Sequence, residues 1–142
     1  MLGTADITVG RPQNIGGTPQ RRIVPVTGGT IVGDRLSGVI LPGGGDWQAT
    51  RPDGSVDIDA RYTVETDADT LIYVQSIGVR RLPAGNTPSG ADTAADPSSY
   101  YFRLAVRFET ESPKYRWLTD HLAIGSAIKH PGGIRCTFYV VL

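Results

Sequence analysis

The sequence predicts an all-β fold: a single antiparallel up-and-down barrel of about eight strands, lipocalin-like, with one short helix. Three observations carry this. Glycine and proline, 18 and 10 of 142 residues, interrupt the chain too often for long helices, since an interior glycine costs about 1 kcal/mol and a proline about 3. Apolar and polar residues alternate with period two in several stretches, as strands with one buried face do. Turn residues separate those stretches without room for crossover helices, so successive strands are antiparallel neighbours. Closing such a set removes its exposed edges and leaves an interior for side chains or one small ligand. A two-sheet sandwich carries the same pattern and stands as the alternative. A chain of this length forms one domain, 1–142, that buries roughly two thirds of the surface exposed on unfolding.

The elements follow in order. ADITVG opens the chain as a strand, and RRIVPV and TIVGDRLSGVIL read as two more, separated by Gly28 and Gly29. In LPGGGDWQ the three glycines remove side chains where a barrel strand must bend. A hairpin from Trp47 to Thr66 turns at RPDG, where Asp53 and Gly54 tolerate the required backbone angles. Its second arm, SVDIDARYTVET, alternates most clearly: Val56, Ile58, Ala60, Tyr62 and Val64 face one way, Asp57, Asp59, Arg61, Thr63 and Glu65 the other. TLIYVQSIGVRR is the next strand. Residues 82–99, poor in large apolar groups, read as a mobile loop that serves as a lid over the barrel mouth. YYFRLAVRFETE alternates again, with Tyr101, Arg103, Arg107 and Glu109 on one face. SPKYRWLTDHL holds at most two turns of helix, capped by Ser112 with Pro113 at its first position. HLAIGSAIK and IRCTFYVVL complete the strands. The last is apolar on both faces, which implies that a homo-oligomer covers it.

Composition excludes several function classes. Lys plus Arg equal Asp plus Glu at 14 each, so no positive field draws in nucleic acid or an anionic membrane. The single cysteine, Cys136, rules out an internal disulfide and implies a reducing, cytoplasmic setting. MLGTADITVGRP has no basic stretch leading into an apolar run, and no run is long enough to span a membrane. No phosphate loop, GxGxxG or GxSxG motif occurs, which argues against nucleotide cofactors and a serine hydrolase. His121 and His130 have no cysteine or carboxylate cluster beside them, so no metal is expected.

The assembled pattern resembles a known family. IVPVTGGTIVGDRLSGVILPGGGDWQATRPDGSVDIDARYT, followed by YYFR, RFET and YRWL, is similar to the bacterial and fungal UPF0311 proteins, or domain of unknown function 3237, from about Val9 to Val140. The resemblance implies a small antiparallel barrel that often self-associates and has no agreed activity in most members. In some it implies ring closure on phenolic or polyketide-like substrates.

The residues themselves nominate a site. Asp46, beside Trp47 in an apolar mouth, would have its pKa raised by desolvation, as a general acid requires, while the indole offers a flat face to an aromatic ligand. Arg61 or Arg103 would steady a developing oxyanion. Asp59, Tyr62, Tyr101, Glu109 and Trp117 complete the candidate ligand-binding set. Two alternatives compete with this: the charged strand residues face water, and Trp117 packs on the barrel end. The sequence therefore allows a cofactor-independent isomerase, lyase or cyclase acting on a small phenolic or carbonyl compound, a carrier of a small organic ligand, or a structural subunit.

Overall fold

A computed structural model describes residues 1–81 and 96–142. Ten strands form among them: β1 Gly3–Val9, β2 Gln13–Gly16, β3 Gln20–Val32, β4 Gly38–Ile40, β5 Gly44–Thr50, β6 Val56–Glu65, β7 Leu71–Arg81, β8 Tyr101–Glu109, β9 Ala123–His130 and β10 Gly133–Val140. Every pairing is antiparallel. The first strand pairs with β10 on one side and β3 on the other, which closes an eight-staved barrel. Two staves are composite: β1 and β2 run end to end along one side of β3, and β4 and β5 along its other side. The expected barrel is the observed one, and among the described residues all strands belong to one closed sheet, not the two of a sandwich.

The Gly28-Gly29 pair does not separate two strands. It kinks one strand, β3, at a register shift against β1, where Thr8 faces Gly28 and Val9 faces Val26. Gly29 has φ of 135°, and a Cβ there would lie 2.1 Å from the Asp6 carbonyl oxygen. Only glycine allows β1 that close, and the kink hands β3 from β5 to β4. TIVGDRLSGVIL is therefore a strand end, a turn and the short β4 rather than a single strand. The glycines of LPGGGDWQ also have a structural use: a Cβ on Gly44 would sit 2.4 Å from the Arg61 carbonyl oxygen. The expected helix is shorter and later, a 3₁₀ turn over Arg116–Asp120 with no side-chain cap; Ser112 contributes its backbone carbonyl to Tyr115 N instead.

The interior has two halves. Toward the 36 and 115–120 turns, Leu2, Ile31, Leu36, Ile40, Val64, Ile72, Phe108, Leu118 and Phe138 form a packed core. Phe108 and Phe138 meet edge to face at 6.3 Å. Burying each such side chain contributes about 1.5–3 kcal/mol, so this half carries much of the fold's stability. The other half, at the β9–β10 hairpin, is hollow. The loop read as a lid lies, over residues 82–95, outside the described residues; Pro97–Ser99 form a 3₁₀ turn on a cap from Asp96.

Candidate active site

The hollow half holds a cavity of about 420 Å³. Its walls are mostly apolar, from Val24, Val26, Ile58, Phe102, Leu104 and Phe138, with a polar group set into one side. That group begins at Asp46. Along β5, Asp46 and Gln48 have the inward parity, opposite Val24 and Arg22 of β3. The β5–β6 ladder runs through Asp46 and Ala60, skips the next two residues of β5 and resumes at Ala49 and Asp57. In that gap the Asp59 amide donates instead to Asp46 Oδ1, at 3.1 Å.

The second carboxylate oxygen, Oδ2, accepts from Gln48 Nε2 at 2.7 Å. The Gln48 carbonyl oxygen in turn accepts from Arg22 Nε at 3.1 Å and Nη2 at 2.6 Å. A guanidinium only donates, so it fixes which end of the Gln48 amide faces Asp46. Asp46 is half-buried and lines the cavity. Desolvation pushes its carboxyl above the ordinary 3.8; the hydrogen bonds from Gln48 and Asp59 and the charges of Arg80 and Arg22 pull back without cancelling it. Arg80 is buried in the same wall, its guanidinium 5.8 Å from the centre of the Phe102 ring.

Of the residues nominated from sequence, Asp46 and Tyr62 line the cavity. The others do not. Arg61 and Asp59 are bonded to each other at 3.1 Å on the outside of β6, since odd-numbered residues there have the outward parity and Tyr62 the inward. Tyr101, Arg103 and Glu109 point outward from β8 while Phe102 and Leu104 point in. Arg61 and Arg103 are thus on the wrong face to steady an oxyanion in the lumen. Trp47, next to inward Asp46, must face outward, and lies under Arg61 with its ring centre 5.9 Å from the guanidinium. Trp117 packs at the closed end, stacked by Arg35 at 4.0 Å and edge-on to His121.

Sequence reading missed Arg22, Gln48, Ser76 and Arg80. The available signal was parity: Arg22 shares it with Val24 and Val26, and Ser76 and Arg80 with Ile72 and Val74. A polar residue in an apolar row is a polar residue inside. Cys136 also lines the cavity, its thiol pushed up to about 12 by burial, which leaves it a poor nucleophile. Among the described residues no group of three or more His, Cys, Asp or Glu could hold a metal ion, and no helix is long and apolar enough to cross a membrane.

With the geometry in place, comparison with known proteins adds the following. Residues 1–141 match the model of a family described as protein of unknown function, DUF3237. A UPF0311 protein of Rhodopseudomonas palustris (strain TIE-1) is 39% identical over 127 residues, 89% of this chain and 83% of that protein. The crystal structure of a conserved protein of unknown function from Rhodopseudomonas palustris superposes with a TM-score of 0.92 at 36% identity, over 99% of this chain and 95% of that one. More distantly, a Penicillium herquei protein named a hydroalkoxylation enzyme is 31% identical over 102 residues, 71% of this chain and 53% of that protein.

Proposed function

The chain belongs to the DUF3237 family, and from that premise we propose that its hollow barrel end binds a small phenolic or carbonyl compound and moves a proton on it without a cofactor, through Asp46. One observation carries the reading: a desolvated carboxyl, held at both oxygens, faces a mostly apolar cavity. Such a carboxyl keeps its proton to higher pH than a solvated one and gives it up to a well-placed base. Gln48, oriented by Arg22, is the positioning residue. Arg80 places a positive charge in the wall, where developing negative charge on a substrate oxygen would be stabilised.

The name of the Penicillium relative supports this class of chemistry. Adding a hydroxyl across a double bond forms one C–O bond and moves the hydroxyl proton to the other carbon, with no oxidant or reductant. A single carboxyl that donates and then accepts meets that need. The equal charge counts support a small molecule rather than nucleic acid or membrane as partner, and the lone buried thiol supports a cytoplasmic setting. The apolar walls favour a second reading, a carrier that leaves its ligand unaltered.

A thermal-shift screen of phenols, aromatic acids, β-diketones and fatty acids, with mass spectrometry of each hit, separates the two. Ligand at 100 times its Kd adds about 2.7 kcal/mol, enough to register. Asp46→Asn keeps an acceptor for the Asp59 amide but sets its NH2 against Gln48 Nε2, so its melting temperature is measured alongside to establish that it folds. It is expected to lower turnover about 100-fold or more while affinity changes only a few-fold, with outward-facing Arg103→Ala as the control. Full activity in Asp46→Asn would remove the carboxyl from the mechanism, and ligands recovered unaltered would leave the carrier.

A further inference from the structure

Arg22 has donors that its contact with Gln48 does not use. Nε and Nη2 both donate to Gln48 Oε1, which occupies one edge of the guanidinium and leaves the end formed by Nη1 and the second N–H of Nη2. Among the described residues that end meets no acceptor, and no carboxylate lies within ion-pair distance of Arg22. The group is not sealed in. Arg22 is half-buried and lines both the cavity and the groove beside Thr18 and Pro52, so it stands between the two.

A guanidinium set into an apolar wall normally meets a carboxylate. Here Asp46 is the only carboxyl among the described residues that line the cavity, and Gln48 stands between the two. The Gln48 contact also fixes the plane of the guanidinium, so its open end is a pre-set pair of parallel donors, the geometry that matches a carboxylate. The spacing suits a ring. Arg22 lies two residues along β3 from Val24, which faces Asp46, and at about 3.3 Å per residue the two groups are offset by roughly 7 Å along the wall. One aromatic ring with its substituents covers that offset.

We propose that the compound bound in the cavity is an aromatic carboxylic acid, its carboxylate held by the open end of Arg22 and its ring extending toward Asp46, so that Arg22 selects the substrate class as well as orienting Gln48. This rests on the reading that the cavity binds a small organic compound. It adds the charged group that compound must carry. A carboxylate held there would also set a like charge near Asp46 and help it keep its proton, as a general acid requires.

The test compares 6-hydroxy-2-naphthoate with 6-hydroxy-2-acetonaphthone, the methyl ketone of nearly equal shape, on wild type, Arg22→Gln, Arg22→Lys and the outward-facing control Arg103→Gln. Dissociation constants come from ligand-observed NMR near neutral pH. Wild type is expected to bind the naphthoate about tenfold or more tightly than the ketone. Arg22→Gln should cut that preference to about twofold or less while its affinity for the ketone stays within about threefold. Arg22→Lys, which keeps the charge but not the paired donors, should retain part of the preference, and Arg103→Gln all of it. Equal binding of the two probes by wild type, or preference for the ketone, would overturn the carboxylate contact and leave the cavity reading standing, and this comparison needs no variant to fold. A preference that survives in Arg22→Gln would overturn Arg22 as its source. Loss of both probes alike in that variant would make Arg22 structural and overturn it too. If neither probe binds wild type, both readings fall together.

Discussion

At the scale of single residues, Asp46 concentrates the physical tension of the site. Its two oxygens are held by Asp59 N and Gln48 Nε2, contacts that favour the ionised form, yet burial outweighs them and raises its pKa. The consequence for stability has a definite sign. Below an unfolded value of 3.8 the carboxyl is neutral in folded and unfolded chains alike, and it contributes no difference. As pH rises from there toward the raised folded value, the unfolded chain ionises first and the fold loses stability; above that value the loss is constant. The melting temperature of Asp46→Asn minus that of wild type should therefore grow through this window and then level off. A difference independent of pH would mean that desolvation does not dominate at Asp46. The acid and Tyr62 could be nominated from sequence because each combines a chemical handle with an apolar neighbourhood. Arg22 and Ser76 carry only the weaker mark of sharing parity with apolar neighbours, which is easily passed over because arginine and serine in a strand usually face water, and Gln48 has no such apolar row beside it.

At the scale of elements, parity explains both what was readable and what went astray. Residues two apart share a face, so SVDIDARYTVET correctly divides into an inner row with Tyr62 and an outer row with Asp59 and Arg61. Placing members of both rows in one pocket violates that rule, as does pairing Asp46 with its immediate neighbour Trp47. The outer Asp59–Arg61 pair is solvent-exposed, so water screens it and it adds little to the fold. The kink in β3 is where an element depends most on one residue. Gly29→Ala would force a Cβ against the Asp6 carbonyl at a φ that side chains rarely adopt, and is expected to destabilise the barrel by about 2 kcal/mol or more. Urea unfolding measures this, and a variant within 0.5 kcal/mol of wild type, roughly the level of a neutral surface change, would show that β1 and β3 separate easily there.

At the scale of the whole molecule, closure makes every strand two-faced, and the outer face carries its own message. Ile77, Ala105, Ile124 and Tyr139 stand directly opposite one another across β7, β8, β9 and β10, forming an apolar belt on the outside. Ile77, Ile124 and Tyr139 are 51%, 53% and 42% exposed, with Leu122 and Val141 beside them. A belt of this kind is expected to pack against a second copy of the chain. Sedimentation at tens of micromolar should show an oligomer that Ile124→Glu converts to monomer with its fold intact. A wild-type monomer at that concentration would count against the belt as an interface.

The sequence by itself determined the strands, their turns and the inner and outer rows, because alternation and turn chemistry act over a few neighbouring residues. It also carried the family resemblance, and with it the barrel. Only the tertiary structure decided that Gly28 and Gly29 bend one strand instead of ending it, that one half of the interior is packed and the other hollow, and that Asp46, Ala60 and Ser76 lie in one row with Gln48 and Arg22 behind the acid. Those facts depend on register between strands, and register is set by where a closed sheet meets itself. Residues such as Arg22 and Asp46, 24 positions apart in the numbering, carry no local mark of that meeting.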